Sequence, residues 1–258
     1  MDPEIVGHYA EGEERNRLEG WSLERVRTEE LLARSLPPLS ARILDVGGGA
    51  GRYASLLGAQ GYDVVLLDPV ELHVQQAADD VVSFGVERGD ARSLPHPDAS
   101  FDAVLMLGPL YHLTERVGRL RALVEGIRAL RPGGVIVAAA ISRAASLLDG
   151  FARDFHHDER FRAGVEQTLA TGQHRNPART PGWFTTAYFH RRSDLQAELE
   201  EAGATDVQVY GIEGPAALFP DHSDQSHAIA LWAARLAEAD PDLAMFSPHL
   251  LAVGHKPG

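Results

Sequence analysis

The sequence predicts an open α/β domain with a mainly parallel, seven-stranded sheet and helices on both faces. Three observations predict it. A short apolar strand, RILDV, breaks into the glycines of GGGAG and runs on into a helical pattern. Short aliphatic runs then alternate with helical stretches, the rhythm of parallel strands joined by right-handed crossovers. Near the C-terminus a late helix precedes a terminal strand, which suits an antiparallel strand at one sheet edge.

Each element follows in order. A helix is expected over 11–35, with Leu18, Leu23, Val26, Leu31 and Leu32 near a helical period, and Pro37 and Pro38 stop it. The first strand spans 42–46, and the helix after the glycines carries Leu56 and Leu57 and ends at Gly61. A second strand at 64–67 ends on Asp68, a helix follows over 70–78, and a third strand lies at 83–87. The fourth strand, FDAVLML, covers 101–107, and a helix at 114–130 leads through RPGG into a fifth strand at 135–140. Beyond Ile141 the rhythm changes. Residues 142–192 are helical over 144–155, then rich in His, Arg, Gly and Pro. That stretch is too long for a plain connection and reads as a lid or substrate-binding insertion. A helix at 193–202, a strand at 206–210, a helix at 225–238 and a strand at 249–254 complete the pattern. The expected organisation is one domain: an N-terminal helical cap at 1–38, a ligand-binding core at 41–141, the insertion at 142–192, and the rest of the sheet at 193–258.

Composition narrows the function. The chain has 258 residues, 44% of them hydrophobic, enough for a sizeable core. Its formal net charge of −13, with no basic run to offset it, disfavours a polyanion such as nucleic acid and favours a small-molecule partner. It contains no cysteine, so disulfides and thiolate metal sites are excluded. The acidic start MDPEIVGHYAEGEE is not a secretory signal, and no apolar run approaches the roughly 20 residues of a membrane span. A cytoplasmic protein with no membrane contact is expected, a monomer or homodimer.

The chemistry concentrates where the first strand turns. The spacing is Asp45-x-Gly47-x-Gly49-x-Gly51. Glycines at a strand-to-helix turn let a ligand approach the main chain. A dinucleotide fingerprint, G-x-G-x-x-G from Gly47, would need its last glycine at Arg52, which argues against a nicotinamide enzyme. A tight turn without a ligand is the plain alternative. Asp68 ends the second strand, where a carboxylate can accept both hydroxyls of a ribose; it can equally cap the helix that follows. Gly89-Asp90-Ala91 follows the third strand and reads either as a binding turn or as a turn held by its own aspartate. LGPLYHL, 107–113, leaves the fourth strand at the end where open sheets bind ligands. His112 there could serve as a general base or pack a helix start.

Together, D-x-G-x-G-x-G, Asp68, Gly89-Asp90-Ala91 followed by SLPHPDASFDAVLML, LGPLYHL and RPGG resemble the class I S-adenosylmethionine-dependent methyltransferases, in the right order over about 43–140. His96 stands where that family often has an aromatic residue. The resemblance implies a Rossmann-like class I fold with S-adenosyl-L-methionine as cofactor. It implies that Asp45 receives the methionine amino group directly or through water. It places Gly47, Gly49 and Gly51 at the cofactor, Asp68 at the ribose, Asp90 and Ala91 at the adenine, and Leu107 and Gly108 along the cofactor wall. Tyr111 and His112 then point toward the methyl acceptor and are the candidate catalytic pair. Tyr9, Tyr188 and His190 are candidate substrate contacts, and Trp183, Phe184 and Phe189 are candidate pocket walls. Transfer from an activated methyl needs alignment and, for a hydroxyl or ammonium acceptor, removal of a proton; it needs no metal. His156-His157-Asp158 and Asp221-His222 lack metal-ligand spacing, so no metal is expected. The implied function is methyl transfer to a small molecule of the specialised-metabolite class, with a same-fold binder or cyclase as the alternative.

Overall fold

The computed structural model describes residues 22–79, 84–218 and 224–258. A seven-stranded sheet forms the centre. Its strands are β1 (Arg42–Val46), β2 (Asp63–Asp68), β3 (Gly85–Arg88), β4 (Phe101–Met106), β5 (Leu130–Ile141), β6 (Thr205–Gly211) and β7 (His249–His255). The strand order is β3-β2-β1-β4-β5-β7-β6. The pairs among β1 to β5 are parallel, whereas β7 runs antiparallel to both β5 and β6. The antiparallel strand therefore lies one position in from the edge, with β6 outermost.

The apolar runs read from the sequence are buried on both faces, as parallel strands are. Leu44, Val46, Val104 and Met106 face one core cluster, and Ile43, Leu66, Ala103 and Leu105 the other. The order reverses at β1, whose neighbours are β2 and β4. Such a reversal opens a crevice beyond the carboxyl ends of the strands. The register aligns Val46 with Leu67 and Asp45 with Leu105, so the glycine turn, Asp68 and the segment after β4 emerge side by side.

The helices are α1 (Leu23–Ser35), α2 (Arg52–Gln60), α3 (Glu71–Asp79), α4 (Pro109–His112), α5 (Arg116–Ala129), α6 (Ala145–Ala152), α7 (Glu159–Thr171), α8 (Arg192–Glu201), α9 (Asp224–Ala237) and α10 (Pro241–Ala244). Ser22 caps α1 by accepting from the Arg25 amide. The earlier turns expected of this helix, and Tyr9, lie outside the described residues. RPGG was expected to turn a helix into a strand. It forms an irregularity inside β5 instead, with Gly133 at φ +75° and the register slipping between Phe101 and Ala103.

The insertion is more ordered than its composition suggests. Asp158 caps α7 through the Arg160 amide, starting a helix the sequence reading left out. A two-residue ladder joins Gln173–His174 to Ala187–Tyr188. His190 bridges back to Ser142, closing the insertion onto the end of β5. Among the described residues no helix is long and apolar enough to cross a membrane.

Candidate functional site

A cavity of about 590 Å³ opens at the carboxyl ends of β1, β2 and β4, lined by Gly47, Gly49, Asp68, Asp90, Gly108 and Tyr111 among others. Gly49 has φ +58°, and a Cβ there would meet nothing within 4 Å, so the turn presents bare backbone to open space. Gly51 was expected at the ligand but lies behind the turn. Its φ is +89°, and a Cβ would come within 2.9 Å of the Phe84 ring. Only a glycine fits there, for packing reasons.

Asp68 is buried at 4% exposure. Its Oδ2 accepts from the Gly49 amide at 3.0 Å and its Oδ1 from the Val70 amide at 2.8 Å. His73 Nδ1 lies 3.2 Å from Oδ1. The carboxylate thus takes up the capping role considered for it at the start of α3, and it also holds the glycine turn, a role the sequence did not suggest. With Nδ1 of His73 protonated, three of its roughly four lone-pair sites are taken. Room remains on Oδ2 for one hydroxyl, where the sequence reading expected two.

Asp45 does not line the cavity. It is 1% exposed beneath the glycine turn, and a Cβ on Gly48 would lie 2.6 Å from its Oδ2. Neither carboxyl oxygen has a hydrogen-bond partner among the described residues. Burial, and then the Asp68 charge, push this carboxyl up to about 7. The folded chain therefore holds a proton that the unfolded chain releases above about pH 4. Stability present below that pH is lost as pH rises toward 7. Asp45→Asn removes the effect. Relative to wild type it should gain stability between pH 4 and 7, by at most about 1.4 kcal/mol per pH unit. Chemical denaturation across this range measures it, and parallel curves for the two proteins would refute it.

Asp90 lines the cavity, yet its carboxylate is engaged by its own turn. It accepts from the Arg92 amide at 2.9 Å and from the Arg92 guanidinium at 2.9 and 2.6 Å. The Arg92 hydrogen bond holds the Asp90 carboxyl below its usual range. Ala91 lies beside it on the cavity wall, and Gly108 closes on the glycine turn, where an added Cβ would be 3.0 Å from the Gly47 carbonyl oxygen.

After β4 the segment LGPLYHL forms the turn of α4, with Pro109 at its first position. It splits the expected wall. Gly108, Tyr111 and His112 face the large cavity. Leu107, expected along the same wall, faces a smaller cavity of about 60 Å³ instead. Tyr111 lines both, and its ring meets that of His112 edge-on at 4.4 Å. Phe184 from the insertion joins Tyr111 on the smaller cavity at 6.4 Å between ring centres.

Tyr188 and His190, expected at the substrate, lie on neither cavity. The Arg119 guanidinium covers the Tyr188 ring at 3.6 Å. His190 is fully buried, 3.4 Å from Glu198. Both belong to an ion-pair network that fastens the insertion to α5 and α8. Of the remaining aromatic residues of 183–190, Trp183 packs on Phe161 and Phe189 stacks on His174. Four polar groups the sequence reading did not place stand on the smaller cavity: Glu24, Thr28, Tyr53 of α2, and His249. Among the described residues two clusters could offer ligand atoms to a cation: Asp154, His156 and His157, with His156 half-buried, and Glu24, Glu213 and His249. Asp221 and His222 lie outside the described residues.

Residues 44–138 match the model of the methyltransferase domain family. Over 123 residues the chain is 32% identical to a ubiquinone/menaquinone biosynthesis C-methyltransferase of Pseudomonas fluorescens, covering 44% of this chain and 46% of the relative. It is 38% identical over 101 residues to an uncharacterized methyltransferase of Mycobacterium tuberculosis, covering 38% and 39% of the two chains. The chain thus spans less than half the length of these relatives. Its fold is similar to the crystal structure of a SAM-dependent methyltransferase, possible histamine N-methyltransferase, from Thermotoga maritima. The TM-score there is 0.61 at 18% identity, covering 98% of both chains.

Proposed function

We propose that the chain, whose residues 44–138 match the methyltransferase domain family, is a class I S-adenosylmethionine-dependent methyltransferase that transfers the methyl group of that cofactor to a small-molecule acceptor. One observation carries the reading. The 590 Å³ cavity brings bare glycine backbone, Asp68, Asp90 and Gly108 together at the reversal of the sheet. The fit to the cofactor rests on this chain's own features. The open side of Gly49 would take its backbone-facing part. Asp68 would hold the ribose, and Asp90 with Ala91 the adenine end. When bound, the cofactor supplies a methyl already activated on a sulfonium.

The protein's task is then to align the acceptor, exclude water and take up a proton where the acceptor has one to lose. Tyr111, shared by the two cavities, is the natural wall between cofactor and acceptor. Two imidazoles flank that wall, His112 on the larger cavity and His249 on the smaller. The strong negative charge favours a small acceptor over a nucleic acid. Calorimetry should show S-adenosylmethionine binding to the purified protein, and turnover should release S-adenosylhomocysteine; absence of binding would remove the proposal. His112→Ala should then separate its two readings. A base would lower turnover by on the order of 10²-fold or more with cofactor affinity kept, whereas a packing residue beside Tyr111 would lose both together.

A further inference from the structure

We infer that the proton acceptor of the site is His249, held by Glu213, and that the methyl acceptor presents a hydroxyl group to the smaller cavity. The inference rests on the methyltransferase reading above and deepens it. It starts from topology. β7 begins where β5 ends, with His249 opposite Ile141, and both line the smaller cavity. The antiparallel strand thus delivers its first side chain to the carboxyl end of the sheet, beside the segment that carries Tyr111.

Glu213 lies 36 residues earlier, just past β6. It is 5% exposed, and three donors fix its carboxylate. Its Oε2 accepts from the Ser247 hydroxyl at 2.6 Å and from the His249 amide at 3.1 Å. Its Oε1 lies 2.5 Å from His249 Nδ1, and Glu24 Oε2 lies 4.0 Å from the same nitrogen. A lone pair on Nδ1 would oppose a carboxylate at that distance, so Nδ1 carries the proton. Nε2 then holds the lone pair and is the basic nitrogen. Two carboxylates beside the ring stabilise the imidazolium that forms when Nε2 takes a proton.

The rest of the cavity selects what reaches it. Leu107, Ile141, Phe184 and Ile212 give it apolar walls beside Glu24, Thr28 and the two tyrosines, and about 60 Å³ admits the reacting end of an acceptor, not a whole molecule. In the step, the acceptor O–H bond breaks and its proton passes to Nε2. The oxygen pair forms the new O–CH₃ bond, and the S–CH₃ pair stays on sulfur. The sulfonium's positive charge ends on the imidazolium. His249 is the catalytic residue, and Glu213 is a positioning residue that acts through it.

The test uses the full chain labelled with ¹⁵N-histidine and two-bond ¹H–¹⁵N correlation spectra. His249 should appear as the Nδ1–H tautomer, and Glu213→Gln should shift it toward a mixture; an Nε2–H ring in wild type overturns the inference. Turnover is read with methyl-labelled S-adenosylmethionine and a panel of small hydroxyl, amine and thiol compounds. Label should enter hydroxyl compounds, and His249→Gln should lower kcat by on the order of 10²-fold or more with cofactor Kd kept. Glu213→Gln should fall between, through kcat and not KM. Label entering only amines or thiols, or a His249→Gln kcat within about twofold of wild type, overturns it. Stoichiometric Zn²⁺ uptake abolished by His249→Gln would also overturn it and make Glu24, Glu213 and His249 a cation site. If wild type fails to bind S-adenosylmethionine, the methyltransferase reading falls while the tautomer still reports on the pair.

Discussion

Asp68→Ala should weaken S-adenosylmethionine binding about 5- to 150-fold, corresponding to roughly 1–3 kcal/mol for losing a hydrogen bond to a buried polar partner. The effect has two sources on the same carboxylate. It would lose the ribose contact, and it also frees the Gly49 and Val70 amides, which now donate to Asp68 at 3.0 and 2.8 Å. Without the first, the glycine turn loses the side chain that holds it against β2. Asp68→Asn keeps one acceptor oxygen and should fall between wild type and alanine. The two sources separate by measurement, because a loosened turn lowers the thermal midpoint of the free protein while a lost ribose contact appears only in the ligand titration. An unchanged Kd for Asp68→Ala would reject the ribose assignment. A second readout follows from the Asp68 charge, which helps to hold the Asp45 carboxyl up. Removing that charge should bring the Asp45 titration down and narrow the pH window in which Asp45→Asn is the more stable protein.

Asp68 also shows how far the sequence reaches. Its place at the end of β2 follows from the apolar run before it and the glycines upstream, and the strand-and-glycine grammar of 43–140 is local. What escaped was partner choice. Whether a carboxylate faces its own amides or a ligand depends on φ and ψ in the following turn, so helix capping and ribose binding were both compatible with one string of letters. Tyr188 and His190 looked like pocket residues because aromatic and imidazole side chains clustered beside a loop. His190 is buried and Tyr188 half-buried because Arg119 and Glu198, 79 residues apart, converge on them. The pair of Glu213 and His249 carried no motif at all, since β6 and β7 bring it together only through antiparallel pairing. The insertion's helix α7 was missed because its capping aspartate follows two histidines that read as loop.

Glu198→Ala should destabilise the protein by about 3–5 kcal/mol, the cost of leaving a buried charge without its partner. Arg119 and Glu198 are 1% and 3% exposed. The guanidinium donates to both carboxylate oxygens, with the shortest contact at 2.8 Å, and to the carbonyls of Leu113 and Thr114 at 2.9 Å each. Those carbonyls end the segment that carries Tyr111 and His112, so the same cation that anchors the insertion steadies the wall between the two cavities. Burial pushes the Glu198 carboxyl up, but hydrogen bonds from His190 and Arg119, with their charges, bring it down to about 2. A depressed carboxyl stabilises the fold above its unfolded value near 4.5 and loses that contribution as pH falls toward 2. Wild type and Glu198→Ala should therefore converge in acid and diverge toward neutrality. The control is the exposed pair Arg116 and Glu201, about half exposed on each side. Glu201→Ala should cost far less, because solvent screens it. Denaturant unfolding at pH 7 measures both variants. A Glu198→Ala loss as small as that of Glu201→Ala would mean that the network is not what fastens the insertion, and that the Tyr111 wall draws its position from the α4 turn alone.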